Sequence, residues 1–185
     1  MPATKNKVRI IGGEWRSRVI AFPPRADLRP TPDRVRETLF NWLGQDLTGK
    51  RCLDLFAGSG ALGFEAASRG AKRVVMVERD PVAWRALLAN CALLAARAVE
   101  LKRADALEFL RADDGCYDVV FLDPPFRADY LLQVLPVLVA RLAPAALVHV
   151  EAPRAPDLPP GWEIQRSGRA GAVTHQLLNW TGHET

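Results

Sequence analysis

The chain has 185 residues, 49% hydrophobic and 25% charged, which suits one soluble globular domain with a full core. The start, MPATKNK, has no apolar segment. The most membrane-like run, residues 130–150, is broken by Gln133, Pro136, Arg141 and Pro144, so neither a secretory signal nor a bilayer span is expected. The net charge of +4 is uneven: residues 1–36 carry nine Lys/Arg against three acids, leaving the remainder at −2, which suggests a polyanionic partner, nucleic acid first, or else a merely solvated Arg-rich surface.

Residues 8–22, VRIIGGEWRSRVIAF, read as a hairpin around Gly12–Gly13, with Trp15, Arg16 and Arg18 in its middle. Trp15 either stacks on RNA or packs the hairpin. Residues 23–30, PPRADLRP, form an extended linker. TPDRVRETLFNWL then predicts a helix with Thr31 as N-cap, Pro32 first and Asp33 in the positive first turn. Val35, Leu39, Trp42 and Leu43 form its apolar stripe, Arg34 lies on the opposite face, and Arg36 and Phe40 lie at the edge. From residue 51 strands and helices alternate: RCLDLF, then ALGFEAASRG; RVVMVE, then PVAWRALLANCALLAA capped by Asp80; VELKRAD, then ALEFLRA; YDVVFLD, then ADYLLQVLPVLVARL; then ALVHVEA. WEIQRSG and AVTHQLLNW close the chain as an antiparallel hairpin. The fold class is α/β and Rossmann-like: a mostly parallel seven-stranded sheet, helices on both faces, plus the N-terminal hairpin and helix. The expected organisation is a single domain over 1–185, with 1–30 a basic hairpin and linker and 31–185 the catalytic core. Cys52, Cys91 and Cys116 lack C-x-x-C spacing and read as reduced thiols of a cytoplasmic protein.

In such sheets ligands bind at the carboxyl ends of the strands, where the motifs of this chain fall. LDLFAGSGALGFEA (53–66) contains Gly58, Gly60 and Gly63 as G-x-G-x-x-G, a pattern that by itself suggests a dinucleotide. Asp54 argues otherwise. A carboxylate above the loop repels a pyrophosphate and suits S-adenosylmethionine, which carries a sulfonium, an ammonium and no phosphate; Asp54 also reads as a cap of the turn. Glu78, ending the next strand, is placed to accept from ribose hydroxyls, with Arg79 or Asp80 beside the adenosine. Asp105 accepts from the adenine amine, with Ala106 offering its N–H, or else caps ALEFLRA.

FLDPPF (121–126) ends the fourth strand, beside the first. Asp123 can accept one N–H of an exocyclic amine and the carbonyl of Pro124 the other. Pro125 has no N–H to compete, and Phe126 can stack on a base withdrawn from its neighbours. Such an amine shares its lone pair with the ring, so two fixed acceptors favour the tetrahedral nitrogen that attack requires.

RIIGGEWRSR, RPTPDRVRETLFNWL, the F-A-G-S-G-x-L-G-x-E-A loop and D-P-P-F closely resemble the RsmD family, class I methyltransferases acting on 16S rRNA (guanine-N2), from about Val8 to Trp180. The resemblance implies methylation of guanine 966 in the small ribosomal subunit or its assembly intermediate. It implies Asp54, Phe56, Gly58, Gly60, Glu78, Asp105 and Ala106 at the cofactor and Asp123 to Phe126 in catalysis. Arg34 and Arg36 would help close the site. Arg9, Arg16, Arg18, Arg25, Arg29, Arg166 and Arg169 would meet phosphates. No metal is expected: His149, His175 and His183 have no partners at ligand spacing. The alternatives are an N6-adenine methyltransferase of DNA or RNA, a protein-glutamine methyltransferase, a nicotinamide dehydrogenase, and a non-catalytic RNA-binding module.

Overall fold

A computed structural model describes residues 6–24, 30–125 and 128–182. Arg25, Arg29, Phe126 and His183 lie outside them. Seven strands form the main sheet in the order β5-β4-β3-β6-β7-β9-β8. They are β3 (Arg51–Asp54), β4 (Arg73–Val77), β5 (Val99–Lys102), β6 (Tyr117–Leu122), β7 (Leu142–Ala152), β8 (Trp162–Ala170) and β9 (Val173–Trp180). β5 to β7 run parallel; β9 is antiparallel to both β7 and β8. The expected mostly parallel seven-stranded sheet is therefore what the chain builds.

Alternation along each strand splits the core in two. Cys52, Met76, Val119, Phe121 and Leu177 face one side, under α1 (Asp33–Trp42), α2 (Ala61–Ser68) and α3 (Pro81–Leu94). Leu53, Val75, Val120, Leu122 and Val148 face the other, under α4 (Ala106–Ala112) and α5 (Ala128–Leu138). All eight residues of α2 are buried, and Gly63 is why it sits so close to the sheet: a Cβ there would lie 2.8 Å from Met76. Asp80 caps α3 as the sequence predicts, accepting from Val82 and Ala83 ahead of Pro81.

The N-terminal hairpin pairs only over β1 (Asn6–Arg9) and β2 (Val19–Phe22). Between them, Ile10 and Ser17 still bond across the loop to Arg18 and Ile10, while four other amides go to α2. Ile11 and Gly12 donate to the Glu65 carboxylate (2.9 and 2.8 Å), and Glu14 and Trp15 donate to the carbonyl and hydroxyl of Ser68 (2.7 and 2.9 Å). Trp15 is buried in the core, so it packs the hairpin. Asn90 of α3 bonds both the N–H and the carbonyl of Ala21, fixing the other edge.

Thr31 departs from expectation. The residue preceding α1 is Pro32, which makes no side-chain cap, and the Thr31 hydroxyl instead donates to Glu151 Oε1 at 2.9 Å. A buried carboxylate is the stronger acceptor, and its demand wins over a backbone amide of the helix.

Candidate active site

The carboxyl ends of β3, β4 and β6, with the start of α4, bring the predicted acids to one rim, and the end of β7 adds Glu151. β3 ends at Asp54, and the chain turns into α2 through Gly60, whose φ of 82° is left-handed; a Cβ there would meet Phe64 and Leu87 at 2.6–2.7 Å. Asp54 is buried, and its Oδ2 accepts from the Gly63 N–H at 2.9 Å. It thus fastens the first turn of α2 to the strand, the capping role the sequence allowed. Burial pushes its carboxyl up to about 7 against the Gly63 bond, and the charges of Glu78 and Glu151 push the same way.

Glu78 bridges the loop and the next helix. Its Oε2 accepts from Gly58 (2.9 Å) and its Oε1 from Asp80 (2.8 Å), leaving one lone pair on each oxygen. Asp105 caps α4 through Oδ1, accepting from Leu107 and Glu108, while its Oδ2 accepts from the Tyr130 hydroxyl at 3.2 Å. Phe56 meets the edge of the Tyr130 ring, centroids 5.6 Å apart. Ala106 is the buried first residue of α4, and Arg79 is exposed. Burial first, then Asp105, raises the Tyr130 hydroxyl.

At the end of β6, Asp123 is partly buried, Pro124 buried and Pro125 exposed. Among the described residues, Asp123 takes no hydrogen bond and no ion pair. Burial, then Glu151, then Asp54 hold its carboxyl well above the usual range. Glu151 is raised too, by burial opposed by the Thr31 hydroxyl. Sequence reasoning passed over Glu151 and Tyr130. The strand-end acid of ALVHVEA obeys the rule that picked out Asp54 and Glu78. Tyr130 is a lone polar ring entering an apolar helix.

The predicted substrate arginines separate into three groups. Arg9 and Arg34 are exposed around the first turn of α1, whose entrance Thr31 ties to the rim, and Arg9 lies 3.6 Å from Asp33. Arg169 is exposed opposite Thr174, which pairs with Ala152 at the carboxyl end of β7. Arg16 and Arg18 lie far from the rim: Arg16 lines a cleft with Arg69 and Gly70 past the end of α2, and Arg18 donates to the Leu93 carbonyl in the last turn of α3. Arg36 is buried, 1% exposed, donating to Thr31 O, Arg9 O, Asp33 and Glu65. Its guanidinium is consumed inside the scaffold, which corrects the expectation that it faces substrate.

Asp54, Asp123 and Glu151 have no cationic partner among the described residues. Mutual repulsion in a desolvated rim disfavours phosphate and fits a ligand bearing sulfonium and ammonium. S-adenosylmethionine meets that requirement; a nicotinamide dinucleotide does not. Among the described residues no group of His, Cys, Asp and Glu has metal-holding geometry, and no helix is long and apolar enough to cross a membrane.

The family described as conserved hypothetical protein 95 matches residues 8–179. The ribosomal RNA small subunit methyltransferase D of Escherichia coli is 42% identical over 176 residues, covering 92% of this chain and 89% of the relative. Its namesake in Haemophilus influenzae is 40% identical over 184 residues, 95% of each. A solved Escherichia coli structure, titled for a suspected methyltransferase, superposes with a TM-score of 0.84 at 42% identity, covering 95% of this chain and 98% of that one. An RNA methyltransferase of Salinibacter ruber, solved with S-adenosyl-L-homocysteine, shares the fold at TM-score 0.68 and 24% identity, covering 85% and 96%.

Proposed function

The chain belongs to the RsmD family, and on that premise we propose that it methylates small-subunit ribosomal RNA with S-adenosylmethionine, at the exocyclic N2 of one guanine. Family resemblance makes that base guanine 966 of 16S rRNA, presented in the small subunit or its assembly intermediate, and the compartment is the cytoplasm. The observation that carries the reading is Asp123: a rim carboxylate with no hydrogen-bond or ion-pair partner among the described residues, followed by two prolines, on the strand next to the glycine loop.

The cofactor supplies a methyl group on a sulfonium. Asp54, Glu78, Asp105 and Ala106 would hold it, with Phe56, Gly58 and Gly60 shaping the loop and Arg79 at its edge. Asp123 accepts one N–H of the guanine amine and the Pro124 carbonyl the other, so the nitrogen lone pair is drawn out of conjugation and its growing positive charge is stabilised. Asp123 acts as the carboxylate; a cation at the rim lowers its raised pKa and favours that form. The proton that N2 loses passes along the same hydrogen bond to Asp123 and on to water. Phe126, outside the described residues, is assigned to stack on the flipped base. Arg9, Arg34 and Arg169 hold phosphates around the rim and position the particle; Arg16 and Arg18 extend that surface only if the RNA reaches the far side.

The test offers labelled S-adenosylmethionine with small subunits lacking the modification, naked rRNA and DNA, followed by nucleoside digestion. Label in N2-methylguanosine, from the subunit only, and none with Asp123→Ala supports the reading. Label in N6-methyladenine moves the assignment to the adenine alternative, and no label with any substrate favours the RNA-binding module. Calorimetry with S-adenosylmethionine and with NAD separates the cofactors.

A further inference from the structure

β6 and β7 run parallel with Phe121 opposite His149 and Leu122 opposite Val150. One residue further, the strands deliver Asp123 and Glu151 side by side. Asp54 pairs opposite Phe121, and Phe121 and His149 share one face of the sheet, two residues before Asp123 and Glu151. Glu151 is 7% exposed, deeper than Asp123, and its Oε1 is held by the Thr31 hydroxyl at 2.9 Å. Among the described residues its Oε2 takes no hydrogen bond. Thr31 belongs to the chain entering α1, so a segment distant in sequence fixes this carboxylate. Beyond adding its charge to the rim, this buried, oriented acid has an open oxygen beside the amine-gripping Asp123.

The base edges supply a use for it. Guanine presents N1–H directly beside its N2 amine, so its edge offers adjacent donors. Adenine beside its N6 amine presents N1 as an acceptor. A carboxylate next to Asp123 completes hydrogen bonding with the first edge and repels the second. We propose that Glu151, oriented by Thr31, is the residue that selects guanine, accepting N1–H while Asp123 holds N2. This rests on the guanine-N2 reading above. A site built to bond a donor rejects a base lacking it by at least about 100-fold, because the buried acceptor is then left unpaired.

The test uses the full chain and small subunits reconstituted with guanine, 2-aminopurine or 6-thioguanine at the target. 2-Aminopurine keeps the amine and loses N1–H; 6-thioguanine keeps both and alters only position 6. For the unaltered protein, kcat/KM with 2-aminopurine should fall about 100-fold below guanine, with 6-thioguanine within about tenfold. Glu151→Gln should lose about 100-fold on guanine and little on 2-aminopurine, closing the gap to under about tenfold. Thr31→Val should narrow the same gap, and Thr31→Ser should restore it. Comparable rates on guanine and 2-aminopurine in the unaltered protein overturn the proposal. So do equal losses on both bases in Glu151→Gln or, if that variant unfolds, in Thr31→Val. If the unaltered protein labels guanine particles at an atom other than N2, or not at all, the guanine-N2 reading itself has failed and this inference falls with it.

Discussion

The guanidinium of Arg36 lies 3.2 Å from the carboxylate of Glu65, with the two side chains 1% and 0% exposed. Glu65 also accepts from Ile11 and Gly12 of the hairpin loop and from Arg69 at 3.0 Å. One carboxylate on the cofactor-loop helix therefore fastens α1 and the hairpin to the same point. Arg36 in turn holds the carbonyls of Arg9 and Thr31, so the route from the basic segment to Glu151 passes through this pair.

Removing Glu65 should unfold the chain more readily than removing any exposed charge. Glu65→Ala takes the shared buried carboxylate from Arg36 and Arg69 and leaves two backbone amides without their acceptor, at a cost of about 3–5 kcal/mol. Thermal unfolding should show a fall of roughly 10 °C. Adding Arg36→Met should not restore it, because the Ile11 and Gly12 amides stay orphaned. Full recovery in the double variant would mean that the ion pair alone mattered.

The exposed arginines expected at the substrate should separate by position. Arg9→Ala, Arg34→Ala and Arg169→Ala should each raise KM for the small subunit and lower its salt dependence by about one counterion per residue. Arg16→Ala and Arg18→Ala should leave both within about twofold in the same assay. Steady-state rates from low to moderate salt measure this, and a strong effect confined to Arg16 or Arg18 would place the RNA at the end of this face opposite the rim.

The parallel core was legible because its signals are local. Asp80 and Pro81 mark a helix start, and the D-P-P step ends a strand whatever surrounds it. Thr31 and Arg36 were not legible for the opposite reason. Each sits where local rules allow a cap or a surface cation, yet each is claimed by a buried carboxylate more than twenty residues away, Glu151 and Glu65. The short hairpin follows the same logic: Gly12–Gly13 looks like a turn, but Glu65 and Ser68 take the amides around it. Among site residues, Asp54, Glu78 and Asp123 stand out at strand ends. Tyr130 becomes visible only once α4 and α5 bring it to Asp105.

Asp54 makes stability depend on pH in a defined sense. Its folded pKa is raised from 3.8 to about 7, so the folded state binds the proton more tightly and this contribution fades as pH climbs through that interval. His149 opposes it: buried and pushed down to about 3, it loses stability as pH falls below its ordinary value of 6.5. Comparing Asp54→Asn with the unaltered chain removes the histidine's part. The Tm of the variant, relative to the unaltered protein, should climb steadily from pH 4 to pH 7. A flat difference would mean that Asp54 is not strained by burial.

The contact between Tyr130 and Asp105 should belong to cofactor binding more than to folding. Asp105 keeps its capping bonds through Oδ1 when the tyrosine hydroxyl is removed, so α4 stays anchored. Tyr130→Phe should therefore change Tm by no more than a degree or two, while weakening S-adenosylmethionine by roughly 2- to 10-fold, the net value of one hydrogen bond. Asp105→Ala removes the cap as well, costing about 1 kcal/mol of stability. It should lower Tm and affinity together. Calorimetric titration beside thermal unfolding separates the two, and an Asp105→Ala that binds normally would make this residue a helix cap and nothing more.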